Sequence, residues 1–293
     1  FNLPILPNST RQIEVWSGET KIDGTRFIDA PVRIEAGTVI RMAPRAKVIF
    51  RNTIEIAGTI QKPVIITPAQ DGKPFGFIAL QGQGTAGSSI QNLHMTGGTG
   101  GRVENIQYTA MLNIHNTRDI ELSNLKLSDN KIYDDMLHIV YCDDVRIDGI
   151  DLRNAHSDAA DIDISTGVRF LGGTIKGSGN DGIDLMSSVV TIEGMVLSEN
   201  KDKGVSVGEA TEVVIRKSRI ENNKIGIETK DGSRAQVLNT SFNRNTTQLY
   251  ANMKNWRYGS GGRIEVRDSV LTDDNNIIKV DKKSTIRVTG SQM

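Results

Sequence analysis

The stretch NDGIDLMSSVVTIEGMVLSENKDKGVSVG, residues 180–208, contains its own echo. Ile183-Asp184-Leu185-Met186 alternates apolar and polar, and 22 residues later Val205-Ser206-Val207-Gly208 alternates again. Period two marks a strand with one buried face. The gaps hold turn formers: Asn180-Asp181-Gly182, Glu199-Asn200-Lys201 and Glu221-Asn222-Asn223, residues that tolerate the left-handed backbone of sharp corners. Outward from this stretch, the apolar residues that open each strand are Ile114, Leu137, Ala160, Ile183, Val205, Ile227 and Leu249, spaced 23, 23, 23, 22, 22 and 22. Two more apolar columns keep step: Leu122, Ile147, Phe170, Ile192, Ile215 and Val237, then Leu127, Leu152, Ile175, Leu197, Ile220 and Phe242, both spaced 25, 23, 22, 23 and 22. One such repeat cannot bury its own apolar row, whereas stacked repeats share a continuous core. The expected fold is all-β, a parallel β-helix (β-solenoid) with about 22–23 residues per rung.

Composition agrees and excludes alternatives. The 293 residues carry 35 Lys plus Arg against 35 Asp plus Glu, so the zero net charge argues against a general nucleic-acid binder. No run of about 20 apolar residues is present to span a bilayer. The single cysteine, Cys142, rules out an internal disulfide and reads as a core residue. The chain begins at Phe1 with neither Met nor a signal segment, which reads as a processed or excised product, a monomer or part of a longer multidomain chain. Residues 1–30 read as an N-terminal cap region and 31–293 as a single parallel β-helix domain. Gly-rich loops between Lys73 and Arg102 break the period, and Lys254 to Gly262 adds roughly seven residues to one coil.

Ala36-Gly37-Thr38-Val39-Ile40 through Ile56-Ala57-Gly58-Thr59 resembles the opening rungs of right-handed parallel β-helices of the pectate-lyase-like superfamily. Asn180-Asp181-Gly182-Ile183-Asp184 and Asp202-Lys203-Gly204-Val205-Ser206-Val207-Gly208-Glu209 are similar to rung sequences of large bacterial β-helix proteins. The resemblance implies right-handed winding and an extracellular, periplasmic or cell-surface setting. It leaves activity open, because the scaffold carries lyases, hydrolases, epimerases, adhesins and phage spikes.

Fixing the register places distant residues side by side. The residue after each opening position reads His115, His138, Asp161, Asp184, Ser206, Glu228 and Tyr250. Two residues on, the same face carries Thr117, Val140, Asp163, Met186, Gly208, Lys230 and Asn252, and the preceding corner carries Asp135, Asp158, Asp181 and Lys203. Neighbouring rungs lie about 4.8 Å apart. Five aspartates from two rungs (Asp158, Asp161, Asp163, Asp181, Asp184) therefore converge on one stripe, edged by His138, Lys203 and Lys230. Stacked like charges need a cation, a shared proton or full solvation. Corner aspartates such as Asp158 and Asp181 also serve ordinary turn chemistry.

Two chemistries fit. Paired carboxyls hydrolyse a glycosidic bond when about 5 Å apart for retention or about 6.5–9.5 Å for inversion; Asp161 with Asp184 suits the first and Asp163 with Asp184 the second. Alternatively Asp158 and Asp181, with Asp161 or Asp184, hold Ca²⁺, which neutralises a uronate while Lys203, Lys230 or His138 removes a proton. No cofactor is required by the first scheme. A zinc reading would join His115, His138 and Asp161. His115, Glu228, Tyr250, Trp256 and Tyr258 are candidates for binding sugar. The expectation is a carbohydrate-active protein, a polysaccharide lyase, hydrolase or epimerase. The alternative is a non-catalytic glycan-binding or adhesin-type module.

Overall fold

The computed structural model describes residues 12–272 and 278–293. Each alternating segment forms a short strand that pairs in parallel with the equivalent strand one coil on. An 11-stranded sheet runs from Thr25–Ile28 to Ile278–Val280, and a 19-stranded sheet supplies the other walls of the coil. In the 11-stranded sheet Leu137, Ala160, Ile183, Val205, Ile227 and Leu249 stand in one line. All six are fully buried. Phe170 and Phe242 fill the centre of their own coils. Cys142 is buried as expected, its thiol 3.3 Å from the carbonyls of Ile114 and Val140.

One corner shows how the sequence makes the coil turn. Asn92, Asn124, Gly149, Gly172, Gly194, Lys217, Asn239 and Asp268 occupy equivalent places in successive coils, and every one has positive φ. Such a corner favours Gly, Asn and Asp, which enter the left-handed region at least cost. A second corner carries an amide ladder, Asn200, Asn223 and Asn245, described further below.

The structure moves one register. Leu112, not Ile114, stands beside Leu137, so the coil between them has 25 residues. The 25-residue steps from Leu122 to Ile147 and from Leu127 to Leu152 belong to this same long coil. His115 therefore pairs with Val140, and the column neighbour of His138 is Asn113. Within the region read as a cap, Glu14–Trp16, Glu19–Ile22 and Thr25–Ile28 already pair in parallel with the next turn. The portion of the N-terminal cap read over residues 1–11 lies outside the described residues.

The two breaks in the period are insertions. Residues 254–262 form a loop with one 3-10 turn, Trp256–Tyr258. The Gly-rich break leads into an antiparallel hairpin, Gly101–Val103 with Ile106–Tyr108. This hairpin folds over the outer face of the 11-stranded sheet and buries Ile49, Phe77 and Ala79 beneath Tyr108. It ends where the acidic stripe begins.

Candidate active site

With the corrected register, one outward file of the 11-stranded sheet reads Ile49, Ala79, Asn113, His138, Asp161, Asp184, Ser206, Glu228 and Tyr250. Its first members lie under the hairpin, and the polar ones emerge beyond it. The neighbouring file carries His115, Val140, Asp163 and Met186. Asp135, Asp158, Asp181 and Lys203 occupy the adjoining corner.

The four central residues meet. His138 Nε2 lies 3.4 Å from Asp163 Oδ2 and 4.0 Å from Asp161 Oδ2. Asp161 and Asp184 are direct cross-strand neighbours. Accessibility separates their roles: the side chains of Asp161 and Asp163 are 22% and 18% exposed, that of His138 only 10%. The imidazole lies behind the carboxyls and supports them. Its Nδ1 is 3.1 Å from Thr109 Oγ1 and 3.2 Å from His115 Nε2.

His115 is held between two rings, stacked on Tyr108 at 5.1 Å and edge-on to His138 at 4.9 Å. Burial, and secondarily His138, push its pKa down to about 3, so it stays neutral at ordinary pH. It is a buried support of His138 and does not line the groove.

Electrostatics concentrate on Asp161. Burial first, then Asp135, Asp163, Asp184 and Asp158, push its carboxyl far above the usual carboxylate range. Burial likewise raises Asp135. Asp158 is pushed up to about 6, chiefly by burial. Asp181 reaches about 7 by burial, against the pull of Lys203. Taking carboxylates out of water beside one another favours the protonated form. Asp161 and the corner acids therefore lean toward the protonated form.

Lys203 is committed elsewhere. Its Nζ lies 3.3 Å from Asp181, 2.6 Å from Asp202 and 3.6 Å from Glu228. Burial works against the ammonium, yet these carboxylates outweigh it and raise the pKa, which keeps the group charged. Lys230 donates to Ser206 Oγ at 2.9 Å, and Glu228 accepts from Asn252 Nδ2 at 2.9 Å. Tyr250 is half-buried beside Glu228. Trp256, 77% exposed, and Tyr258 sit on the loop after Thr247–Asn252, where Tyr258 packs beside Gly232. That loop is tied down by Asp231 Oδ1, which accepts from Lys254 N and Asn255 N.

Asp158 and Asp181 do perform turn chemistry: Asp158 Oδ1 accepts from Asp181 N at 2.6 Å, and Asp181 Oδ1 from Lys203 N at 2.9 Å. Among the described residues, two sets of possible ligand atoms gather within 4.8 Å: His138, Asp161 and Asp163, without His115, and the all-oxygen set of Asp134, Asp135 and Asp158. That hard-oxygen set suits calcium, with Asp181 left to Lys203. Asp135, Asp134, Thr109 and Tyr108 went unselected in the sequence. The break at Gly97–Gly101 marks where an insertion begins, but no pattern there says which face it covers.

The chain is a parallel β-helix with a partly buried acidic file on the outer face of one sheet. The model of the family described as "Right handed beta helix region" matches residues 110–293, and the chain belongs to that family. Among solved structures, the alginate lyase from Paenibacillus sp. str. FPU-7 is similar, with a TM-score of 0.52, 15% identity, and 88% of this chain and 89% of that chain covered. The periplasmic alginate epimerase AlgG gives a TM-score of 0.56 at 10% identity over 91% and 78%. Pectate lyase Pel9A gives 0.51 at 14% identity over 88% and 70%. At these identities the likeness is one of fold. No curated protein sequence matches the chain. Among the described residues, no helix is long and apolar enough to cross a membrane.

Proposed function

We propose that this protein hydrolyses glycosidic bonds of a polysaccharide laid across its coils, with Asp161 as the proton donor and Asp184 as the partner carboxylate. One observation carries the reading: the Asp161 side chain is 22% exposed on the outer face of the sheet, yet burial and four neighbouring aspartates favour its acid form. A general acid needs a proton at working pH, and crowding carboxyls together is how one is kept there. Asp184 lies one strand spacing away, about 4.8 Å, close to the separation of a retaining pair.

In the first step Asp184 attacks the anomeric carbon as the glycosidic C–O bond breaks, and Asp161 gives its proton to the leaving oxygen. In the second, Asp161 takes a proton from water, which displaces Asp184 and completes hydrolysis. His138 and Asp163 hold the acid in place from behind, and Lys203 fixes the corner. Calcium, when bound, would be held by Asp134, Asp135 and Asp158 and would neutralise charge there. The fold's likeness to proteins whose names specify alginate and pectate supports a polysaccharide substrate, and the periplasmic epimerase among them an extracytoplasmic setting.

The test is product analysis on a panel of polysaccharides. New reducing ends without unsaturated sugars are expected. Unsaturated uronates would replace hydrolysis by elimination, and affinity with no product over days would make the protein a binding module.

A further inference from the structure

A cleft opens on the N-terminal side of the hairpin, between Arg45, Lys47 and Lys73 and the strand Gly101–Val103. It measures about 760 Å³, and its walls carry Arg45, Lys47, Lys73 and Arg102 without a single carboxylate. Among the described residues none of the four forms an ion pair. Lys47 Nζ reaches the Arg102 carbonyl at 3.3 Å, and Arg102 Nε donates to the Glu104 carbonyl at 3.1 Å. Several arginines elsewhere pair with carboxylates along the coils, as Arg146 does with Asp148 at 2.7 Å and Arg216 with Glu193 at 2.7 Å. In a chain of zero net charge, four cations lining one cleft without a carboxylate are a local excess.

The cleft is also built. The stem of Lys47 passes between Gly76 and Gly101, where an added Cβ would come within 2.6 Å and 3.0 Å of it. The ring of Tyr133 lies on Gly100, with no room for a Cβ there. Next to it Ile132 has φ of 71° and is 70% exposed. A β-branched residue seldom takes that backbone, and such strain gathers at ligand clamps.

Ile132 and Tyr133 line a second cleft too, which reaches Thr109, the residue hydrogen-bonded to His138. Tyr133 and Ile132 thus stand between the cation-lined cleft and one that borders Thr109 and Asp134, next to the corner of the acid file.

We propose that the basic cleft is an anion subsite that grips oxyanion groups, carboxylate or sulfate, of the polysaccharide chain, so that the substrate is an acidic glycan. This rests on the polysaccharide reading above. Guanidinium and ammonium groups bind such oxyanions by charge-assisted hydrogen bonds, and Tyr133 offers a ring face to the sugar between them.

The experiment is calorimetric titration at low salt, on an Asp161→Asn background to prevent turnover, with hexagalacturonate, a sulfated dextran oligomer and uncharged maltohexaose. Either anionic ligand is expected to bind at least tenfold more tightly than maltohexaose, and the tighter of the two names the oxyanion. The triple variant Arg45→Gln/Lys73→Gln/Arg102→Gln should lose at least tenfold in that affinity with its unfolding temperature kept. The control triple Arg146→Gln/Arg169→Gln/Arg216→Gln should bind like the parent. Equal binding of maltohexaose, or a cleft triple that binds like the parent, overturns the subsite. The two readings fail separately: full turnover by Asp161→Asn removes the acid assignment and leaves the cleft, whereas cleavage confined to uncharged glycans removes the cleft and leaves hydrolysis.

Discussion

Two corners of this coil stack like side chains one above another, and they do so in different chemistry. At one, Asn200 N and Nδ2 both donate to Asn223 Oδ1, at 3.0 and 2.9 Å, and Asn223 N and Nδ2 repeat this toward Asn245 Oδ1 at 2.9 Å each. At the other, Asp158 and Asp181 accept the backbone N–H of the following coil through one oxygen each. The backbone service is alike, since a side-chain oxygen satisfies an otherwise orphaned donor. An amide also donates to its neighbour, so the ladder closes on itself. A carboxylate has only acceptors and must find protons or cations. The fold is thus served by asparagine, and the acids exceed what folding asks. Side chains that cost stability without structural need are best explained by chemistry.

The sharpest break of this contrast exchanges acid for amide at the groove. Asp161→Asn should lower turnover about 10²–10⁴-fold while leaving the unfolding temperature nearly unchanged, because the general acid is lost and a neutral amide takes the place of a carboxyl that is itself neutral. Next comes the reverse exchange. Asn223→Asp removes two donors from the buried ladder and sets oxygen against oxygen, and should cost about 3 kcal/mol in denaturant unfolding at pH 7.

A subtler comparison uses pH. Asp158 and Asp181 have folded pKa values raised to about 6 and about 7 from the ordinary aspartate value of 3.8, so the folded protein binds their protons more tightly than the unfolded chain. Their stabilising contribution is complete below about pH 4 and is lost as pH rises through 6 to 7. Asp158→Asn keeps an oxygen for Asp181 N, so its unfolding temperature relative to the parent should climb across that window; a constant offset would mean Asp158 does not titrate there. The smallest effect belongs to the solvent-exposed arginine ladders. Arg216→Ala, which leaves Glu193 paired with Lys217, should change stability by less than about 1 kcal/mol.

The coil and most of the site could be read from spacing alone because parallel stacking converts a fixed repeat into adjacency. That is why Asp161, Asp184, Ser206, Glu228 and Tyr250 stand in file as expected. The first step failed for a definite reason. Ile114 and Leu112 are both apolar and two residues apart, so each satisfies the strand pattern, and only the 25-residue steps of the other columns distinguish them. His115 moved one file sideways in consequence. The hairpin over Ile49 and Ala79 was beyond reach, since an insertion of glycines and polar residues has no periodicity to reveal which face it covers. Without it, the clamp of Tyr108 on His115 does not follow from the sequence.

Whether the acid file holds protons at neutral pH can be seen directly in infrared difference spectra of the parent against Asp161→Asn at pH 7. A protonated-carboxyl C=O band present in the parent and missing from the variant is the expected result. A difference containing carboxylate bands alone would show Asp161 ionised and would contradict its role as the acid.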